Sequence, residues 1–237
     1  MALIVSAASK GLIRETMEDF VYPPPGMTYR TSDYPFLAMV ADGVAGSPDG
    51  EVASRLAVES FVDEFNQLFS AGEEIHLSVD MLAILFDRVN RRLLEVNSKM
   101  ATTLTVGVFA QDRAFILWAG DSPAYMFRSG RLKRLTEPHM VGAWVTAEDG
   151  NPVLSTILYS CLGGGTSGFE VSGLSVGVRP GDIFLFMSDG VPLHIGEYEL
   201  VQLLNDMDLE SAIGRIGSLV MERGAYDNYS IVGVKLS

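Results

Sequence analysis

The sequence predicts an α+β layered domain. Amphipathic helical periodicity brackets the middle of the chain, and that middle switches to strand periodicity with hairpin turns. No Gly-rich phosphate loop of the Walker or Rossmann kind is present to signal a βαβ alternation. The 237 residues are 48% apolar, enough for a sizeable core, while 20% charged and 9% aromatic residues argue against global disorder. Neither a repeat nor a long polar linker divides the chain, so residues 1–237 are expected to form a single domain.

The opening, Met1 to Lys10, holds an apolar stretch too short for a secretory leader, with no basic residue ahead of it. Glu18-Asp19 sits beside Phe20-Val21-Tyr22, and Pro23-Pro24-Pro25-Gly26 forms a local loop after which a strand pattern resumes. Phe36 to Ala41 is a short apolar run that stops at Asp42-Gly43. From Gly50 onward, Ala53, Leu56, Ala57, Phe61, Phe65 and Leu68 recur at helical spacing. Leu82, Leu85, Phe86, Val89, Leu93 and Val96 repeat that pattern in a second helix.

Strands follow at Leu104 to Ala110, Ala114 to Trp118, Ala124 to Phe127 and Leu132 to Leu135, with turns at Gln111-Asp112 and Ser129-Gly130. Glu137 to Gly168 has weak periodicity and reads mainly as loop, with Gly163-Gly164-Gly165 as a flexible turn. Ile183 to Met187 is a buried-type strand ending at Ser188-Asp189-Gly190. Glu199 to Leu204 and Leu209 to Met221 read as helices, although Gly214 and Gly217 cost the second about 1 kcal/mol each. Tyr229 to Leu236 closes the chain as a strand.

Seventeen basic against 30 acidic residues give a net charge of −13. That excess repels phosphate backbones and anionic lipid, so nucleic-acid and membrane-surface binding are not expected, and a cation is the more natural partner. Cys161 is the only cysteine, which excludes an intrachain disulfide and a cysteine-cluster zinc site. His76, His139 and His194 are too scattered for a histidine-rich metal site, and no apolar run approaches the ~20 residues of a membrane span. The expected setting is cytoplasmic.

The informative feature is where the acids fall. Asp42 and Asp189 end apolar strands, Asp227 precedes the last one, and Glu18-Asp19 borders a fourth. Each alone is an ordinary turn former. Together, carboxylates converging at the mouth of a core would repel one another unless cations intervened. Oxygen-only donors favour hard ions such as Mg²⁺ or Mn²⁺.

Seven ordered blocks then carry a resemblance. They are Arg14-Glu15-Thr16-Met17-Glu18-Asp19; Val40-Ala41-Asp42-Gly43-Val44-Ala45-Gly46 with Gly50-Glu51; Ala101-Thr102-Thr103-Leu104; and Gly120-Asp121-Ser122. The rest are Gly130 to Thr136, Pro180-Gly181-Asp182 with Ser188-Asp189-Gly190-Val191, and Asp227-Asn228-Tyr229-Ser230. In this order the chain resembles the metal-dependent protein phosphatases of the 2C type (the PPM family), in their compact bacterial form.

The resemblance implies a four-layer αββα sandwich of two mainly antiparallel sheets flanked by helices. It implies hydrolysis of phosphoserine and phosphothreonine on proteins by a metal-activated water at a binuclear centre holding Mn²⁺ or Mg²⁺. Asp42 would bridge the two ions, Gly43 would offer its carbonyl, and Asp189 and Asp227 would complete the shell. Glu18 and Asp19 would add a further ligand and a supporting acceptor, Asp121 would take a third ion, and Arg14 would grip the substrate phosphate. The implied partners are phosphorylated proteins, opposite a separate serine/threonine kinase.

Some positions depart from the family pattern. Pro123 follows Gly-Asp-Ser where an arginine is common, and Val44 stands where some members have histidine. Ala45 and Ser47-Pro48 alter the stretch before Gly50, and His139 to Leu162 is a shortened flap. His139 reads as structural or substrate-proximal, and Cys161 as a small core residue. Pro123 and the altered stretch after Asp42 keep a second reading open: a weak or inactive phosphatase-like regulator that binds phosphoproteins or a partner. A phosphatase with a narrower, anti-sigma-factor-type substrate is a third.

Overall fold

The computed structural model describes residues 1–70, 75–146, 152–165 and 169–237. One sheet is built from β1 (Ala2–Ser9), β3 (Thr28–Thr31), β8 (Ala124–Arg128), β9 (Arg131–Arg134), β14 (Ile183–Met187) and β15 (Tyr229–Leu236), in the order β3-β1-β15-β14-β8-β9. The other holds β2 (Asp19–Tyr22), β4 (Phe36–Asp42), β6 (Leu104–Phe109), β7 (Arg113–Ala119) and β13 (Ser172–Gly177), ordered β13-β7-β6-β4-β2. Neighbouring strands run antiparallel throughout.

Helices α1 (Gly50–Ser70) and α2 (Val79–Val96) cover the second sheet, while α3 (Glu197–Asp206) and α4 (Leu209–Glu222) cover the first. The result is the expected αββα sandwich. Strand β4 shows why its sequence lacks polar alternation. Leu37, Met39 and Ala41 face the α1/α2 layer, Ala38 and Val40 face the opposing sheet, and both sides are dry. Between the sheets, the Phe109 ring meets Phe184 at 5.1 Å and Phe186 at 6.2 Å, both edge-on. Gly107 makes room for them, because a Cβ there would run into the Phe186 ring.

Local signals set the helix boundaries. Ser78 caps α2 by accepting from the Met81 amide at 3.1 Å, and Asp208 caps α4 by accepting from Ser211 at 2.9 Å. Gly217, a weak helix former, admits the Tyr229 hydroxyl, which would stand 3.1 Å from a Cβ. No helix among the described residues is long and apolar enough to cross a membrane.

The elements of the structure differ from the sequence reading in several places. The expected loop after Glu137 contains a hairpin of β10 (Met140–Thr146) and β11 (Pro152–Leu158), paired in register from Met140↔Leu158 to Thr146↔Pro152. Its Val141 and Ile157 are exposed, and backbone pairing runs along the whole of both strands. The parts of that expectation falling on 147–151 and 166–168 lie outside the described residues. The apolar opening is an interior strand: β1 pairs with β15 along its whole length. Strand β13 was hidden by its Gly and Ser content and packs as a half-exposed edge.

Candidate metal centre

Antiparallel pairing brings the acids to one end of both sheets. Asp42 ends β4, Asp189 lies two residues past β14, Asp121 two past β7, and Asp227 two before β15. Asp19 opens β2 as the direct cross-strand partner of Asp42. Arg14, Glu18, Asp42, Asp121, Asp189 and Asp227 line one cleft of about 530 Å³. Asp19 lies beneath its floor, buried.

The backbone at Asp42 is fixed by the Thr102-Thr103 pair, which joins β5 (Ala101–Thr102) to β6. The Asp42 amide donates to Thr103 Oγ1 at 3.0 Å, and its carbonyl accepts from Thr102 Oγ1 at 2.9 Å and the Thr103 amide at 2.8 Å. Thr103 in turn shares a 2.7 Å hydrogen bond with Ser122 beside Asp121. Gly43 donates its amide to the Glu18 carbonyl at 3.0 Å, and a Cβ on it would press to 2.8 Å from the Gly50 backbone. Only glycine lets the start of α1 come this close to the metal-side acids.

A second set of groups ties the two sheets together under the cleft. Ser188 Oγ donates to Asp19 Oδ2 at 2.6 Å and accepts from the Ser230 amide at 2.9 Å. Asn228 staples the loop carrying Arg14: its Oδ1 accepts from the Glu18 amide at 2.7 Å, and its Nδ2 donates to the carbonyls of Lys10 and Thr16. Arg14 Nη2 donates to Asp227 Oδ2 at 2.7 Å.

Crowding of like charge shows in the protonation equilibria. Burial, and then repulsion from Asp19 and Asp189, pushes Asp42 well above the ordinary carboxylate range. Burial lifts Asp19 to about 6, against the opposing hydrogen bonds from Ser188 and Ser230. Burial followed by the charges of Asp121 and Asp227 lifts Asp189 to about 6. Asp121 is also raised, mainly by burial. The Arg14 guanidinium is held more firmly charged by its hydrogen bond to Asp227.

The donor set fits a hard divalent cation. Its side-chain atoms are oxygens, its net charge is strongly negative, and Asp19 Oδ1 is buried with no hydrogen-bond partner among the described residues. As the side chains stand, no three His, Cys or carboxylate groups among the described residues close into a finished ion cage; the acids flank an open cleft.

The cleft therefore gathers Arg14, Glu18, Asp42, Gly43, Asp121, Asp189 and Asp227, with Asp19 directly behind. Sequence reasoning gave no role to Thr103, Ser188, Asn228 or Ser230. Asn228 did carry a signal, since an amide after Asp227 suits a loop staple as well as a turn. Cys161 is corrected: it lines the cleft instead of the core. Pairing of β12 (Leu162–Gly163) with β5 draws it to the Asp42 side. His139 is buried, its Nδ1 accepting from the Gly120 amide at 3.3 Å and its Nε2 bonding Ser172 at 3.0 Å. That is a structural role.

The model of the family described as Protein phosphatase 2C matches residues 26–213. The chain belongs to the protein phosphatase 2C family. The match takes in Asp42, Gly43, Asp121 and Asp189, while Arg14, Glu18, Asp19 and Asp227 lie outside it. Among curated relatives, the serine/threonine phosphatase stp of Listeria monocytogenes is 29% identical over 212 residues, covering 82% of this chain and 80% of its own. The serine/threonine protein phosphatase PstP of Mycobacterium tuberculosis is 25% identical over 236 residues, 95% of this chain and 43% of that one. The crystal structure of the Mycobacterium tuberculosis phosphatase PstP/Ppp superposes with a TM-score of 0.78 over 100% of both chains at 23% identity. The PstP catalytic domain in complex with two manganese ions gives a TM-score of 0.76 at 22% identity, again over 100% of both chains. These structural likenesses establish the 2C fold.

Proposed function

We propose that this chain, a metal-dependent serine/threonine protein phosphatase of the 2C family, works through the cleft that Arg14, Glu18, Asp42, Asp121, Asp189 and Asp227 line. The observation that carries the reading is the like-charged cluster itself. Asp42 meets Asp19 across the strand pair and Asp189 across the cleft, and such crowding is costly unless cations are meant to sit there.

Asp42, Asp189 and Asp227 would hold two divalent ions, Mn²⁺ or Mg²⁺, with Gly43 and Glu18 as further oxygen donors and Asp121 toward a third. Bound there, the ions would neutralise phosphoryl charge and supply an activated water. The chain's own groups do the rest. Arg14 stands at the exposed rim, where its planar guanidinium can turn from Asp227 to two phosphate oxygens at once. Ser188 and Asn228 hold Asp19 and the Arg14 loop in place, so the phosphate arrives at a preset distance from the acids. No side-chain nucleophile is required, and Cys161 is unsuited to be one: burial, with Asp121 nearby, raises its thiol.

The substrates on this reading are phosphoproteins made by a serine/threonine kinase, and residues 1–237 act as a single catalytic domain. The three core clusters support that unity, because the middle one joins the two sheets directly. The test is phosphate release from a phosphothreonine peptide with Mn²⁺, with Mg²⁺ and with chelator, repeated for Asp189→Asn. Metal-restored activity that Asp189→Asn abolishes is expected. Release that survives both chelator and the substitution overturns the metal reading. No release with any metal, despite metal binding, favours the regulator.

A further inference from the structure

The rim of the cleft carries an apolar shelf. Leu12, Ile13, Leu193 and Tyr226 are 59%, 66%, 62% and 64% exposed, large apolar side chains on the loops that bear Arg14, Asp189 and Asp227. The loops are locked to one another. The Leu12 amide donates to the Ala225 carbonyl at 3.0 Å, and the Tyr226 amide to His194 Nε2 at 3.5 Å. The Tyr226 ring lies against His194 at 5.0 Å between centroids. Gly11, with φ of +75°, lets the Leu12 loop approach residues 225–227, because a Cβ would strike the carbonyls of Ala225 and Asp227. The shelf is held by these contacts and stays solvent-facing, beside a cleft whose lining mixes the acids with apolar groups such as Val44, Met140 and Leu158.

Exposed apolar groups gathered at one place on a soluble surface mark a recognition site. We infer that this shelf selects substrates: it binds apolar side chains flanking the phosphorylated residue of a protein substrate. The inference rests on the phosphatase reading above. Its occupant follows from continuity with the phosphate site. Ile13 and Leu12 immediately precede Arg14, and a chain covers about 3.3–3.6 Å per residue. A peptide whose phosphate reaches Arg14 therefore lays its neighbours one or two positions away across Ile13, Leu12 and Tyr226.

The test compares two phosphothreonine peptides of equal length and charge on the Mn²⁺-loaded full chain. One has leucine within two residues on each side of the phosphothreonine, the other glycine and serine. The leucine peptide is expected to have about tenfold higher kcat/KM, carried by KM. In Leu12→Ser/Ile13→Ser the ratio should fall below about twofold, with kcat on the glycine peptide retained. Tyr226→Ser, on the other loop, should lower the ratio independently, which covers a fold defect in the double variant. Equal kcat/KM for both peptides on the unmodified chain overturns the shelf and leaves the phosphatase reading intact. Failure to hydrolyse either peptide or p-nitrophenyl phosphate overturns that reading, and the shelf with it.

Discussion

Asp19 and Asp42 face each other as cross-strand partners on β2 and β4, two carboxylates where a stable sheet would place opposite charges or apolar groups. Both are lifted above the ordinary carboxylate range, and Asp19 keeps one oxygen without a partner. The fold maintains this arrangement with hydrogen bonds from Thr102 and Ser188 and one from the Asp42 amide to Thr103. Stability is given up at a place where function needs negative charge.

Chelator-treated protein should accordingly melt at a lower temperature than protein with millimolar Mn²⁺. Asp42→Asn should narrow the difference: relief of like-charge repulsion raises metal-free stability by about 1 kcal/mol, while the gain on adding Mn²⁺ shrinks. Phosphatase activity should fall by at least about 100-fold. Thermal melts with and without chelator read the first two effects, and an unchanged Mn²⁺ response in Asp42→Asn would remove Asp42 from the ligand set.

Arg14 separates binding from folding. Its ion pair with Asp227 is partly exposed, with side-chain exposures of 41% and 27%, so it adds little to stability. Arg14→Ala should leave the urea midpoint nearly unchanged and lower kcat/KM by about 100-fold, with Arg14→Lys recovering only part because one ammonium cannot span two oxygens. A wild-type kcat/KM in Arg14→Ala would show that another group holds the phosphate.

The far end of the sandwich offers the opposite case. Asp182 is buried and accepts from Arg128 Nε at 2.7 Å and Nη2 at 2.6 Å, and from the Arg179 amide at 2.7 Å. Arg128→Ala strands that carboxylate and should cost about 2–3 kcal/mol in urea denaturation. Because β8 enters from the cleft end and Arg128 closes it at the other, kcat/KM at 25 °C should stay within about twofold. A large loss of activity in folded Arg128→Ala would contradict this separation.

His139 gives the fold a pH dependence. Burial lowers its pKa below the ordinary 6.5, with Glu170 opposing. The unfolded chain then binds more protons than the folded one as pH falls through 6.5, so this contribution is fully present above 6.5 and lost below it. Protonation would also take Nδ1 from the Gly120 amide. Denaturation at pH 7.5 and 5.5 should show a larger drop for wild type than for His139→Gln. Equal drops would mean that the imidazole does not sense pH.

Much of this was legible along the chain. The helical stripes of α1, α2 and α4, the buried runs of β4 and β14, and the turns at Gln111-Asp112 and Ser129-Gly130 are local properties that spacing reports. The oxygen-only character of the acids is likewise written in residue types. Less legible were β1, whose pairing with β15 no local spacing reports, and the β10–β11 hairpin, whose stretch of sequence has weak periodicity. Cys161 was misplaced for the same reason, since a two-residue strand pairing put it in the cleft.

The sequence by itself determined the helices, the buried central strands and the acids that punctuate them, because those follow from period, turn chemistry and side-chain type. Only the tertiary structure decided that Arg14 meets Asp227 across 213 positions, that Asn228 staples the loop between Lys10 and Glu18, and that four exposed apolar side chains sit on the loops rimming the cleft. Such contacts join ends of strands that pair non-locally, and no spacing within a single segment encodes how far apart in the chain two neighbours in space will be.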